Sequence, residues 1–319
     1  MHEIVNYLEL ARSGLKVSTI GIGMLQAGGY YGTHDDDECV RAIVRASELG
    51  INLVDTAEAY GDGHSEEVVG EAIREIGRDK LVIATKVHGR LFATCHLRYR
   101  DVLRACEASL NRLGISQIDL YQVHFPNPWE QVPLKETMRA MEELYRSGKI
   151  RAIGVSNFAV RDLKEAQDCL RATEIVSNQV QYNLIRREIE EDVLPYCRKE
   201  NISVLAWGPL EKGALTGKYT LENTPKDPAR GEDVIFSNRN MPQVMKLVSK
   251  LKEIGDVKGK SPGQVALNWL MTHAQTIPIP GAKRPQQAEE NAGAAGWHLS
   301  PSELDQIQQA LDKLSFDYF

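Results

Sequence analysis

Four side chains at the ends of apolar runs have the chemistry of proton transfer: Asp55 in "INLVDT", Tyr60 in "AEAYGDG", Lys86 in "ATKVHG" and His124 in "YQVHFP". A free phenol titrates near pH 10, so at neutral pH it gives up its proton only where positive charge stabilises the phenolate. Lys86 carries a charge of the right sign. Asp55 would keep that ammonium ionised and aimed, and His124 would hydrogen-bond a substrate oxygen or relay its proton. A tyrosine tuned in this way protonates the oxygen of a carbonyl while a hydride reaches its carbon. That reaction requires a cofactor. Taken singly, each residue has a plainer role: Asp55 in a cap or ion pair, Tyr60 in loop packing, Lys86 in solvent, His124 as a satisfied core histidine. Their joint placement at strand ends separates the two readings.

The elements that must bring them together are legible as a pattern. Short Val- and Ile-rich runs at 17 to 24, 51 to 56, 81 to 87, 117 to 124, 150 to 156, 174 to 180, 202 to 208 and 276 to 282 alternate with segments of helical period. Helices are predicted near 37 to 49, 64 to 77, 97 to 113, 134 to 147, 159 to 171, 187 to 200, 262 to 273 and 285 to 292. Continuously apolar strands alternating with amphipathic helices imply a parallel sheet covered on its outer face. Eight such units predict an α/β fold of the (β/α)8 TIM-barrel type, occupying residues 1–319 as a single domain. An open doubly wound sheet is the alternative, but no GxGxxG follows the first strand. Two further helices, at 241 to 256 and 301 to 313, fall outside the repeat, and the opening residues are expected to form a hairpin closing one end of the barrel. In such a barrel the strand C-termini carry the chemistry, which is where Asp55, Lys86, His124, Ser156, Asn157, Gln179 and Trp207 fall.

Composition narrows the classes. The 319 residues are 42% hydrophobic and 26% charged, with formal charge −6 and pI near 5.8, so there is no basic field for nucleic acid. Five scattered cysteines without a CxxC pair suggest neither a disulfide framework nor zinc, and fit a reducing compartment. Acids stand where a signal peptide would have its apolar region, and no segment reads as a membrane span. A cytoplasmic location is expected. His64, His88, His96, His273 and His298 receive no role, and no metal site is expected, since neither HxxxH nor ligand-like carboxylate spacing occurs.

The stretches "ARSGLKVSTIGIGM", "GINLVDTAEAYGDGHSEEVVGEAI", "IDLYQVHFP", "IRAIGVSNF", "NQVQYNL" and "AWGPLEKGALTGKY" together resemble the aldo-keto reductase superfamily, in order and over nearly the whole chain. The resemblance implies a barrel that uses a nicotinamide cofactor without a Rossmann domain, and a catalytic tetrad at Asp55, Tyr60, Lys86 and His124. It assigns Gly23 and Met24 to the cofactor site, and Ser156, Asn157 and Gln179 to the nicotinamide carboxamide. Trp207 stands where an aromatic ring stacks on the nicotinamide. Gly208, Leu210, Lys212, Gly213 and Leu215 match the loop over the pyrophosphate. In "IPIPGAKRPQQAEENAG", Glu290 and Asn291 keep the adenine-contacting pattern. Gly281 and Gln287 stand where many members have a lysine and an arginine, so Lys283 and Arg284 are expected to take over the 2'-phosphate. NADP(H) is the expected cofactor, with NAD(H) as the alternative.

The substrate is expected to be a small aldehyde or ketone, with Tyr30, Tyr31 and Trp129 at a partly apolar entrance beside "HGRLFATCH" and the long segment after strand 7. The same cofactor loops occur in cytoplasmic β subunits of potassium channels, so a regulatory subunit with slow turnover is the alternative function. No N-terminal inactivation peptide is recognisable ahead of the barrel. Oligomeric state is not legible.

Overall fold

A computed structural model of the chain describes residues 5–32, 34–88, 97–126 and 132–317. Its first elements are β1 (Tyr7–Glu9) and β2 (Lys16–Ser18), which pair antiparallel as the expected hairpin. Eight parallel strands follow: β3 (Ile22–Gly23), β4 (Leu53–Asp55), β5 (Val82–Val87), β6 (Ile118–Val123), β7 (Ile150–Ser156), β8 (Ile175–Gln181), β9 (Ser203–Trp207) and β10 (Thr276–Pro278). They lie in sequence order, and the sheet curls until its edges meet. Gly21 N–H donates to the Pro278 carbonyl at 2.9 Å, Gly23 N–H to the Pro280 carbonyl at 3.0 Å, and Gly23 bridges Gly281 in parallel. The fold is thus an α/β barrel.

The helices between and after these strands are α1 (Asp36–Glu48), α2 (His64–Ile76), α3 (Tyr99–Leu113), α4 (Leu134–Arg146), α5 (Val160–Cys169), α6 (Val193–Lys199), the short α7 (Pro228–Gly231), α8 (Met241–Lys258), α9 (Pro262–Met271), α10 (Pro285–Ala292) and α11 (Pro301–Leu311). Local chemistry accounts for their ends. Asp35 caps α1 by accepting from Glu38 N–H at 3.0 Å, and three acids in its first turn complement the helix dipole. Ser261 and Ser300 open α9 and α11 with capping boxes and a proline in the first turn. No helix among the described residues is long and apolar enough to cross a membrane.

One expected element divides in two. The run 17 to 24 reads as a single strand, but Lys16–Ser18 belongs to the hairpin and only Ile22–Gly23 to the barrel. Between them the chain changes sheets, because Leu10, Leu15 and Val17 of the hairpin must plug one end of the barrel. They pack there against inward-facing Leu53, Val82, Leu120, Ala152, Leu205 and Ile277. A second, larger core lies between strands and helices and takes the alternate positions, such as Ile83, Val87, Tyr121, Val123, Ile153 and Val155. The period of two along each strand sorts side chains between these cores.

Candidate active site

The same alternation carries polar side chains into the barrel at its C-terminal end. On β5, Val82 and Ala84 face inward, and Lys86 is next in that series; on β6, Gln122 follows Leu120; on β4, Asp55 follows Leu53. Strand β8 needs a correction to join them. Ile153 pairs with Ile175 but Gly154 with Ser177, so Val176 is an extra residue and the parity of β8 reverses beyond it. Gln179 therefore points inward. Gly154 permits this close approach, since an added Cβ would lie 2.4 Å from Ser177 Oγ and 2.9 Å from Gln122 Cγ.

The resulting layer is a connected network. Lys86 Nζ donates to Asp55 Oδ2 at 2.7 Å, to the Thr56 carbonyl at 2.8 Å and to the Tyr60 hydroxyl at 3.1 Å. Gln179 Nε2 donates to Asp55 Oδ1 at 2.7 Å, and Gln122 Nε2 reaches the same oxygen at 3.4 Å. Lys86 and Asp55 are both buried, so their mutual charge is what makes each tolerable there. Burial works to lower the Lys86 pKa, but Asp55 and the Tyr60 hydroxyl more than offset it and the ammonium is held above its ordinary value. Burial raises the Tyr60 phenol, and Lys86 opposes that rise. Of these two effects, only the lysine's is visible in the residue types alone.

His124 completes the group from the end of β6, its ring edge 5.7 Å from Tyr60 between centroids. Burial first, then Lys86 and His88, lower its pKa from the ordinary 6.5 to about 2. The imidazole is neutral at any working pH, and among the described residues nothing hydrogen-bonds its buried Nδ1. The sign of the consequence for stability is fixed. Below pH about 6.5 the unfolded chain takes up a proton that the native imidazole refuses, so stability falls as pH falls. Urea unfolding at pH 7 and pH 5 should show a drop that is about 2 kcal/mol smaller in His124→Asn than in the wild type. Equal drops would mean that His124 is protonated in the native state.

Asp55, Tyr60, His124 and Gln179 of this group line the floor of a cleft of about 590 Å³, within the range of small-molecule sites, while Lys86 and Gln122 are buried outside its lining. Ser156, Asn157 and Trp207 form one wall and satisfy one another. Ser156 Oγ donates to the Gln179 carbonyl at 2.8 Å, Asn157 Nδ2 to the His124 carbonyl at 3.1 Å, and Trp207 Nε1 to Asn157 Oδ1 at 3.0 Å. Gly23, Gly208, Leu210, Lys212 and Gly213 also line the cleft, as do Gly281, Lys283, Gln287, Glu290 and Asn291 at its far end. Tyr30 and Tyr31 stand at the mouth.

Three expected residues lie elsewhere. Met24 and Leu215 are fully buried in the outer core, where apolar packing claims them, and neither reaches the cleft. Arg284 is exposed as the cap residue of α10 and is not part of the lining, whereas Lys283 beside it is, its Nζ donating to the Tyr31 carbonyl at 2.5 Å. Trp129 and residues 89 to 96 lie outside the described residues. Other residues at the site are marked less clearly in the sequence. Gln122 had a usable signal, a polar residue inside an apolar strand. Arg230, whose guanidinium lies 5.2 Å over the Tyr31 ring, belongs to the long segment after strand 7 expected at the entrance, and Lys218 to the stretch "AWGPLEKGALTGKY", but nothing in either stretch singles out these two side chains as cleft cations.

The barrel thus carries connected Asp55, Lys86 and Tyr60 side chains at the C-terminal end of its strands, beside a cleft that several strand ends line. The sequence matches the model of the aldo/keto reductase family over residues 19–312, and the chain belongs to that family. It is 38% identical to the aldo-keto reductase YhdN of Bacillus subtilis, with 98% of this chain and 96% of that protein covered. Among solved structures, the glycerol dehydrogenase of Gluconobacter oxydans superposes with a TM-score of 0.87 at 32% identity, covering 98% and 96% of the two chains. An aldo/keto reductase of Klebsiella pneumoniae solved with NADP and acetate does so at 0.75 and 29% identity, over 100% of both. By class this protein is an NAD(P)H-dependent reductase.

Proposed function

We propose that this chain reduces aldehydes or ketones reversibly with NADP(H), and that Tyr60 is the proton donor. The observation that carries the reading is the run of contacts from Asp55 through Lys86 to the Tyr60 hydroxyl on the floor of the cleft. A bound reduced nicotinamide would supply hydride to the carbonyl carbon. Tyr60 gives its proton to the carbonyl oxygen as charge builds there, and Lys86 stabilises the phenolate left behind. Asp55 holds the ammonium in place. Neutral His124 has one ring N–H to offer the same oxygen. With hydride on carbon and proton on oxygen, the product is the alcohol.

The fit to the cofactor rests on the lining. Trp207, fixed through Asn157, offers a ring for the nicotinamide, and Ser156, Asn157 and Gln179 have side-chain polar groups to exchange for its carboxamide. Four cations, Lys212, Lys218, Arg230 and Lys283, line the cleft and suit a polyanionic nucleotide. Lys212 is paired with Asp233, and Arg230 with Asp227 at 2.6 Å. Glu290 and Asn291 are read as adenine contacts and Gln287 as their neighbour. The NADP of the Klebsiella structure supports the same choice. In this proposal residues 1–319 act as one domain, with α8 and α11 added to the eightfold repeat, in the cytoplasm, on a small carbonyl compound and without a nucleic-acid partner.

Oxidation of NADPH and NADH, screened over aromatic and aliphatic aldehydes, sugars and dicarbonyls, tests the activity. Rapid turnover of at least one carbonyl class is expected. Tight cofactor binding with slow turnover throughout would favour the channel-subunit alternative. Cofactor choice has its own test. Lys283→Ala should weaken NADPH by roughly tenfold or more, the worth of one charge-assisted contact, and leave NADH nearly unchanged. Arg284→Ala should affect both little, since its side chain stands outside the cleft. Fluorescence titration at fixed ionic strength reads the difference. A wild-type preference for NADH would remove the NADP(H) assignment and leave the proton relay intact.

A further inference from the structure

The first residues of α1 and α2, with His34 just ahead of the α1 cap, bring together three side chains that the reaction does not use. His34 Nε2 lies 3.3 Å from Asp36 Oδ1, and His64 Nε2 lies 3.0 Å from the same oxygen. The two imidazoles are 5.9 Å apart between centroids. Among the described residues this is the one group of three or more His, Cys, Asp or Glu whose ligand atoms all fall within 4.8 Å of one another. A tetrahedral ion with bonds of about 2.0 to 2.1 Å to nitrogen and oxygen sets its ligands about 3.3 Å apart. Two of the three separations already have nearly that value.

Further features point the same way. Both histidines present Nε2 to the shared oxygen, and the other ring nitrogen of His64 lies 3.6 Å from Glu67 Oε2. A carboxylate behind a ligating imidazole is the arrangement that orients metal-bound histidine. All three residues are half-buried, so an ion can enter and retain a water. We propose that His34, Asp36 and His64 form a site for one divalent transition-metal ion of the zinc class, with the fourth position open to water. Two imidazoles and one carboxylate suit Zn²⁺, Co²⁺ or Ni²⁺ better than Mg²⁺ or Ca²⁺, which prefer all-oxygen sets.

The site has a mechanical consequence. His34 follows the loop that carries Tyr30 and Tyr31, and His64 follows the loop that carries Tyr60. These loops already touch, since a Cβ added at Gly28 would lie 2.6 Å from the Tyr60 carbonyl carbon. An ion held by His34, Asp36 and His64 ties the mouth of the cleft to the segment bearing the phenol.

The test uses the full chain, without an affinity tag and stripped by chelator, titrated with Co²⁺ and then Zn²⁺. One equivalent of Co²⁺ should bind with the visible absorption of a low-coordinate imidazole site, and Zn²⁺ should displace it. Glu67→Gln should weaken binding about tenfold, and His64→Ala or His34→Ala more than that. Circular dichroism checks that each variant is folded, and His34→Asn and His64→Gln stand in for an alanine variant that is not. Failure of the native chain to bind at millimolar Co²⁺, or undiminished binding by folded variants lacking both imidazoles, would overturn the proposal.

Discussion

Tyr60→Phe is expected to bind cofactor as the native chain does and to reduce carbonyls 10²- to 10⁴-fold more slowly, on the order of what a positioned general acid contributes. The substitution removes one atom and little else. Tyr60 Oη makes its hydrogen bond with Lys86 Nζ, at 3.1 Å, while the ring packs edge-on against His124 and Tyr30, contacts that phenylalanine keeps. The lysine retains Asp55 and the Thr56 carbonyl, so the buried charge stays paired. Single-turnover reduction with cofactor prebound isolates the chemical step, and cofactor affinity is read separately by fluorescence. Turnover near the native rate would exclude Tyr60 as the proton donor, whatever its contacts.

Lys86→Met should act on both stability and chemistry, and the two can be separated. Removing one partner of a buried ion pair leaves Asp55 with only neutral donors, Gln179 and Gln122, and such losses cost about 3 to 5 kcal/mol. Pairing the change with Asp55→Asn removes the stranded charge, so the double variant should recover much of that stability while remaining inactive. For the chemistry the sign follows from the two influences on Tyr60. Burial raises the phenol and Lys86 lowers it, so without the lysine burial acts unopposed. Alcohol oxidation needs the phenolate as base, and its rise with pH should move to higher pH in the residual activity of Lys86→Met. A profile that keeps its native midpoint would show that the ammonium does not tune the phenol.

These expectations start from residues that the sequence marks well. Asp55, Lys86 and His124 are polar side chains at the last positions of apolar strands, and burial without partners is expensive enough that such residues announce a network. Gln179 is marked both by its place at a strand end and by resemblance, yet its inward direction depends on the extra residue Val176, which no pattern within "EIVSNQV" reveals. A one-residue slip turns every later side chain to the other face, so the parity of β8 is decided by its pairing with β7. Arg284 shows the opposite case. Adjacent cations look alike in a sequence, but the backbone that starts α10 sends Lys283 to the cleft and leaves Arg284 outside it.

By itself, the amino-acid order determined the alternation of strands and helices, their approximate ends and the chemistry available at each strand terminus. Those properties arise from residues a few positions apart, through side-chain periodicity, caps and turn formers. Tertiary structure alone decided which residues meet. It split the run 17 to 24 between hairpin and barrel, returned Arg230 and Lys218 to the cleft, and set His64 against His34 and Asp36 across a separation that no spacing rule connects. The reason is physical. Each of those meetings depends on sheet register, barrel closure and loop packing, which are set by sums of many weak non-local contacts and are not written in any single stretch of the chain.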